Sequence, residues 1–199
     1  MKQRLRSLLS FFALFGLNAM TLPHATAQDD EYANVRGQIE SCVACHGEHG
    51  ATPIQPSYPI LAGQHLHYLY VQLKDLKSGA RQNAIMNPIA AGLEKADMLK
   101  IAQYFSEQSW PSTNEQSGSD LADLGAKAAA AGQCVQCHLG GYEGASGVPR
   151  LAGQNYSYTL QTLLDFKNRV RTNAPDKSSL MEAYSDEELV GLAQFLANQ

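Results

Sequence analysis

The sequence predicts an all-α protein made of two copies of one helical unit, and three observations predict it. The stretch "YPILAGQHLHYLYVQLKDLKSGARQN" from Tyr58 returns from Val148 as "VPRLAGQNYSYTLQTLLDFKNRVRTN". The two share Pro59/Pro149, Leu61/Leu151, Gly63/Gly153, Gln64/Gln154, Tyr68/Tyr158, Asp75/Asp165, Lys77/Lys167, Arg81/Arg171 and Asn83/Asn173 at a constant offset of 90. Each half carries apolar stripes at helical spacing, and no alternating pattern long enough for a strand occurs anywhere.

The chain opens with Lys2, Arg4 and Arg6, then an apolar run from Leu8 to Met20, then Ala25-Thr26-Ala27. A basic start, a short apolar core and a small-residue cut site form a secretory signal peptide over residues 1–27. The run is shorter than the roughly 20 residues that span a bilayer, so at most loose membrane association is expected. In the first unit, residues 28–107, Leu66, Leu69, Leu73 and Leu76 line a middle helix, while Met98, Ile101, Ala102 and Phe105 line a last one. A polar linker, residues 108–119, carries "WPSTNEQSGS". The second unit, residues 120–199, repeats the plan with Tyr156, Leu163 and Phe166, then Leu189, Leu192, Ala193 and Leu196. Ser185 with Glu188 makes a capping box at the start of its last helix.

Loss of the leader removes three basic residues and no acidic one, leaving 12 basic against 19 acidic and a net charge of −7. That balance argues against nucleic acid and against anionic membrane surfaces. The units divide the charge evenly, 6 basic and 9 acidic residues in each. A unit of this size, with few large apolar side chains and long loops, is marginal by itself. Something large and apolar is expected inside each.

All 4 cysteines fall in two matching segments, "CVACHGEHG" from Cys42 and "CVQCHLGG" from Cys134. On a helical turn, residues i, i+3 and i+4 share a face, so Cys42, Cys45 and His46 converge, as do Cys134, Cys137 and His138. Two thioethers then hold a porphyrin edge while the adjacent imidazole reaches the iron, which is the c-type haem signature. Zinc needs four ligands where each half has only two cysteines, and a redox dithiol lacks a supporting βαβ pattern. Two covalently bound haem c groups are therefore expected, and they supply the missing apolar core.

The sixth iron ligand separates carriers from enzymes. Methionine opposite histidine raises the potential, because a soft thioether favours the ferrous state. Met86, in an irregular stretch after the middle helix, is the candidate for the first iron. In the second unit Lys177 stands where alignment from the last helix places the counterpart of Met86. Met181 is the only methionine there. It is the candidate for the second iron, with Lys177 or an open, water-bound iron as alternatives. The carbonyls of Pro59 and Pro149 are candidates to orient the histidines. Tyr68/Tyr158 and Arg81/Arg171 are either contacts to haem propionates or members of a solvated helix face. His49, His65 and His67 lack counterparts in the other half and are read as non-ligands. Trp110 packs at the junction of the units or lies exposed in the linker.

Two CxxCH segments, each followed by Pro-x-Leu-Ala-Gly-Gln, a tyrosine, an amphipathic helix and a closing "IAQYF" or "LAQFL", resemble the dihaem cytochrome c4 family over the whole mature chain. The resemblance implies two class I cytochrome c domains packed about a pseudo-twofold axis, with the propionates near their interface. It implies a periplasmic carrier that passes single electrons between redox proteins: a terminal oxidase, a quinol-oxidising complex or a periplasmic dehydrogenase. The sequence departs from the family at Lys177, where an axial methionine is usual, and at Arg169, which replaces the counterpart of Gly79. A dihaem enzyme converting thiosulfate or peroxide, or a permanent enzyme subunit, is the competing reading. The acidic charge predicts basic docking surfaces on partners and rates that fall with salt.

Overall fold

The computed structural model describes residues 31–112 and 120–199. The leader assigned to residues 1–27 and most of the linker lie outside the described residues. Among the described residues the protein is helical throughout, with one isolated bridge between Ala145 and Val148 and no strand. No helix there is long and apolar enough to cross a membrane.

The first unit comprises α1 (Arg36–His46), α2 (Leu66–Ser78), α3 (Met86–Ala91) and α4 (Lys95–Ser106). The second comprises α5 (Ala122–Ala131), α6 (Val135–His138), α7 (Tyr156–Lys167), α8 (Pro175–Met181) and α9 (Asp186–Ala197). The last-helix stripes are buried in full: Met98, Ile101, Ala102 and Phe105 on α4, Leu189, Leu192, Ala193 and Leu196 on α9. Each covers one face of a two-turn repeat, which removes apolar area from water at about 25 cal/mol per Å². On α2, Leu69 and Leu76 are buried but Leu66 is exposed, because it begins the helix at the rim of the unit. Ser185 caps α9 through Glu188 N–H, and the Glu188 carboxylate accepts from Ser185 N–H in return. Glu94 and Asp97 form the same reciprocal pair at the start of α4.

The "LAGQ" segments lock each unit and join the two. Gly63 N–H donates to Phe105 O at 2.8 Å and Gly153 N–H to Leu196 O at 2.9 Å, fastening the segment to the end of the last helix. Both glycines hold positive φ, 65° and 67°, and a Cβ on Gly63 would stand 2.9 Å from Trp110 N. Glycine is the residue that adopts this conformation without steric cost. The next residue reaches across the junction. Gln154 bonds both backbone groups of Ile60, and Gln64 bonds both backbone groups of Arg150. Trp110 packs at this junction, with the Arg150 guanidinium 4.7 Å from its ring centroid.

Candidate haem sites

α1 delivers Cys42, Cys45 and His46 on its last turn. The second unit reaches the same arrangement differently. α5 ends at Ala131, Gln133 turns to φ 52°, and Cys134 N–H bonds Ala129 O at 3.1 Å, one residue further back than an α-helical bond. The one-turn helix α6 then carries Cys137 and His138. The difference in spacing between the halves falls after the histidine instead: 13 residues separate His46 from Pro59 and 11 separate His138 from Pro149.

Both histidines are buried and oriented as their prolines suggest. His46 Nδ1 lies 2.9 Å from Pro59 O, and His138 Nδ1 lies 2.9 Å from Pro149 O. A carbonyl only accepts, so Nδ1 carries the proton and Nε2 presents a lone pair. Burial pushes both imidazoles below the ordinary histidine range, against the opposing pull of the proline carbonyls. Each ring is therefore neutral and has the tautomer an iron ligand requires.

One thiol of each pair is shifted upward by its surroundings. Burial, with Cys45 nearby, pushes Cys42 up to about 11, and burial also raises Cys134. Among the described residues no three His, Cys, Asp or Glu side chains converge as a metal site would require. The donor set thus fits haem c in each unit: two thioethers and one neutral imidazole, with one-electron exchange at iron as the chemistry supplied when haem is bound.

The sixth-position candidates differ between units. Met86 begins α3 rather than lying in a loop, with its N–H held by Asn83 Oδ1 at 2.8 Å, and its side chain is half-buried. Met181 ends α8 and is buried among Ala128, Phe166, Tyr184 and Leu189. Lys177 sits near enough to Cys134 and His138 for its charge to favour the thiolate and disfavour the imidazolium.

Tyr68, Tyr158, Arg81 and Arg171 line the junction of the units instead of a solvated face. Arg81 Nη2 donates to Tyr158 Oη and Arg171 Nη2 to Tyr68 Oη, both at 3.3 Å. Arg171 also bonds Gln72, and Asn173 ties Gln72 and Asp75 into the same network. His65 bonds Glu143 O across the junction at 2.8 Å, His49 bonds Tyr104 Oη at 3.2 Å, and His67 is exposed. The bridging roles of Gln64 and Gln154 escaped the sequence reading, although their recurrence in both halves was the available signal.

Residues 33–109 match the family model described as cytochrome c, and residues 120–196 match that described as cytochrome c oxidase, cbb3-type, subunit III. A cytochrome c4 from Thiocapsa roseopersicina is 35% identical over 169 residues, covering 78% of this chain and 85% of that one. The chain belongs to the cytochrome c4 family. It is thus a dihaem electron-transfer cytochrome with two covalent haem c groups. A cytochrome c4 structure from Acidithiobacillus ferrooxidans superposes with a TM-score of 0.74 at 30% identity, covering 80% of this chain and 99% of that one. A protein named thiosulfate dehydrogenase electron acceptor, from Stutzerimonas stutzeri, is 34% identical over 202 residues and 93% of each chain. That breadth keeps both the carrier and the dehydrogenase-linked reading within one fold.

Proposed function

We propose that the mature chain, beginning near Gln28 after removal of residues 1–27, is a periplasmic carrier of single electrons. It comprises two haem domains, 28–107 and 120–199, joined by the linker 108–119. Cys42 and Cys45 bond the first haem, with His46 and Met86 as axial ligands. Cys134 and Cys137 bond the second, with His138 on one side of its iron. The observation that carries this reading is the duplicated pairing of a neutral, buried histidine with a proline carbonyl beside a CxxC. An iron ligated this way changes oxidation state with little rearrangement, so the protein performs no bond chemistry itself.

The donor class is a dehydrogenase or quinol-oxidising complex, and a terminal oxidase is the acceptor class. The relative named thiosulfate dehydrogenase electron acceptor supports a thiosulfate-oxidising donor in particular. Partners dock transiently around an exposed haem edge, over a small interface. The test is stopped-flow reduction of the purified holoprotein by a thiosulfate dehydrogenase across a salt series. Reduction of both haems at a rate that falls with ionic strength supports the carrier reading. Steady consumption of thiosulfate by the protein alone would replace it with the enzyme reading, which the departure at Lys177 favours.

A further inference from the structure

The short helices α3 and α8 are the same element in the two units, and their hydrogen bonds fix how one maps onto the other. Asn87 N–H donates to Asn83 O at 3.0 Å, and Ser178 N–H donates to Ala174 O at 3.3 Å. Leu93 N–H donates to Ala90 O at 3.1 Å, and Tyr184 N–H donates to Met181 O at 3.2 Å. All four pairings relate by one offset of 91. Asn87 Nδ2 donates to Arg81 O at 2.8 Å and Ser178 Oγ to Arg171 O at 3.3 Å, so the same two positions meet in both units, although the arginines pair at 90 and the second unit has one more residue between them. In this register Met86 maps onto Lys177 and Ala90 onto Met181.

The two positions have opposite characters. Ala90 is fully buried and Met181 is 5% exposed, so the position faces the core in both units. Met181 fills space among Ala128, Phe166, Tyr184 and Leu189. Moving its sulfur out would leave the space among those side chains unfilled. Met86 and Lys177 are instead half-buried, each one residue before the side chain that anchors the helix to the arginine carbonyl.

We propose that Lys177, and not Met181, supplies the sixth ligand of the second haem iron. The proposal rests on the reading of both CxxCH segments as haem sites. The Lys177 ammonium releases one proton to solvent, and the amine lone pair bonds the iron. In the structure Nζ lies 2.5 Å from Asp176 Oδ2. That carboxylate is exposed, and water screens an exposed pair, so it does not hold the amine away. An amine is harder than a thioether and favours ferric iron. The second haem is then the lower-potential site, and electrons enter through the second unit and leave through the first.

The experiment is near-infrared magnetic circular dichroism and electron paramagnetic resonance of the oxidised holoprotein, with haem counted by alkaline pyridine spectra. Two haems per chain, with one equivalent of the sulfur-to-iron charge-transfer band and one amine-ligated low-spin signal, is the expected result. Fewer than two haems would overturn the haem reading itself, independently of Lys177. Met86→Leu abolishes the band, and Met181→Leu leaves both signals in place. Lys177→Met doubles the band and draws the two potentials together. Lys177→Arg keeps the charge beside Asp176 but cannot deprotonate, so it removes the amine signal. Two equivalents of the band in the wild type, with one lost in Met181→Leu, would overturn the proposal. So would a wild-type spectrum without an amine signal, a reading that stands even if the Lys177 variants fail to mature.

Discussion

Gln154 holds both backbone polar groups of Ile60 in the opposite unit, accepting its N–H at 2.8 Å and donating to its carbonyl at 3.0 Å. Ile60 directly follows Pro59, whose carbonyl receives His46 Nδ1. Gln64 grips Arg150 in the same way, and Arg150 follows Pro149, the partner of His138. One dipeptide in each unit, Pro59-Ile60 and Pro149-Arg150, therefore serves both the junction and the orientation of an iron ligand. Gln154→Leu leaves two buried backbone groups on Ile60 unpaired, at about 1–3 kcal/mol each. The expected result is a drop in Tm of the holoprotein together with an altered His46 signature in paramagnetic NMR. A lower Tm with unchanged haem resonances would show that the junction and the ligand are independent.

Arg171 should outweigh its counterpart Arg81. It is 6% exposed, donates to Tyr68, Gln72 and Asn173, and stacks 4.6 Å from the Phe166 ring centroid. Arg81 is half-buried and donates to Gln72 and Tyr158. Each buried polar partner that Arg171 leaves unsatisfied costs about 1–3 kcal/mol, and Arg171 has more of them. Denaturant titrations of Arg171→Gln and Arg81→Gln measure the difference, and equal losses would show that burial does not set the order.

Much of this was legible before the structure. The α4 and α9 stripes, the Ser185 cap and the proline carbonyls follow from short-range periodicity and turn chemistry, which one helix or loop decides alone. The interunit roles of Gln64, Gln154 and His65 depend on which surfaces meet, and a polar residue at a helix start carries no such information by itself. Met181 shows the same limit. Its burial among core side chains on α8, in register with Ala90, depends on how the units fold and was not legible from its chemistry.

Ser185→Ala should cost about 1 kcal/mol, because Glu188 N–H loses its acceptor and the Glu188 carboxylate loses the Ser185 hydroxyl, while the bond from the backbone N–H of residue 185 remains. The loss should appear as a lower Tm with unchanged haem spectra. Ser185→Asp retains an acceptor at the same place, and its Tm should stay near that of the wild type.

Tyr158 gives the junction a pH dependence. Burial raises its phenol, but Arg81 and Arg171 overcome this and bring it down to about 7 from the ordinary 10.0. Between those values the unfolded chain keeps a proton that the folded chain has released, so stability rises with pH and is lost as pH falls through about 7. The Tm difference between wild type and Tyr158→Phe should therefore widen as pH is raised from 7 toward 10. A constant difference would mean that the phenol stays protonated beside the two guanidinium groups.

The crossing of α5 and α9 is built on glycine and should tolerate no larger residue. A Cβ on Gly125 would stand 1.9 Å from Gly191 O, and one on Gly191 would stand 2.6 Å from Leu121 O. Those neighbours are backbone atoms, which cannot rotate aside, so the helices must separate. The first unit has Lys100 at the position of Gly191, where it pairs with Glu31. Gly191→Ala should therefore cost at least the 1–3 kcal/mol typical of overpacking, and the loss should fall on the second unit alone. Thermal melts followed separately at the charge-transfer band of the first haem and at the signal of the second would show it. The second transition should move down while the first stays in place. A single shared shift would mean that the two units unfold as one, held together through Gln64 and Gln154.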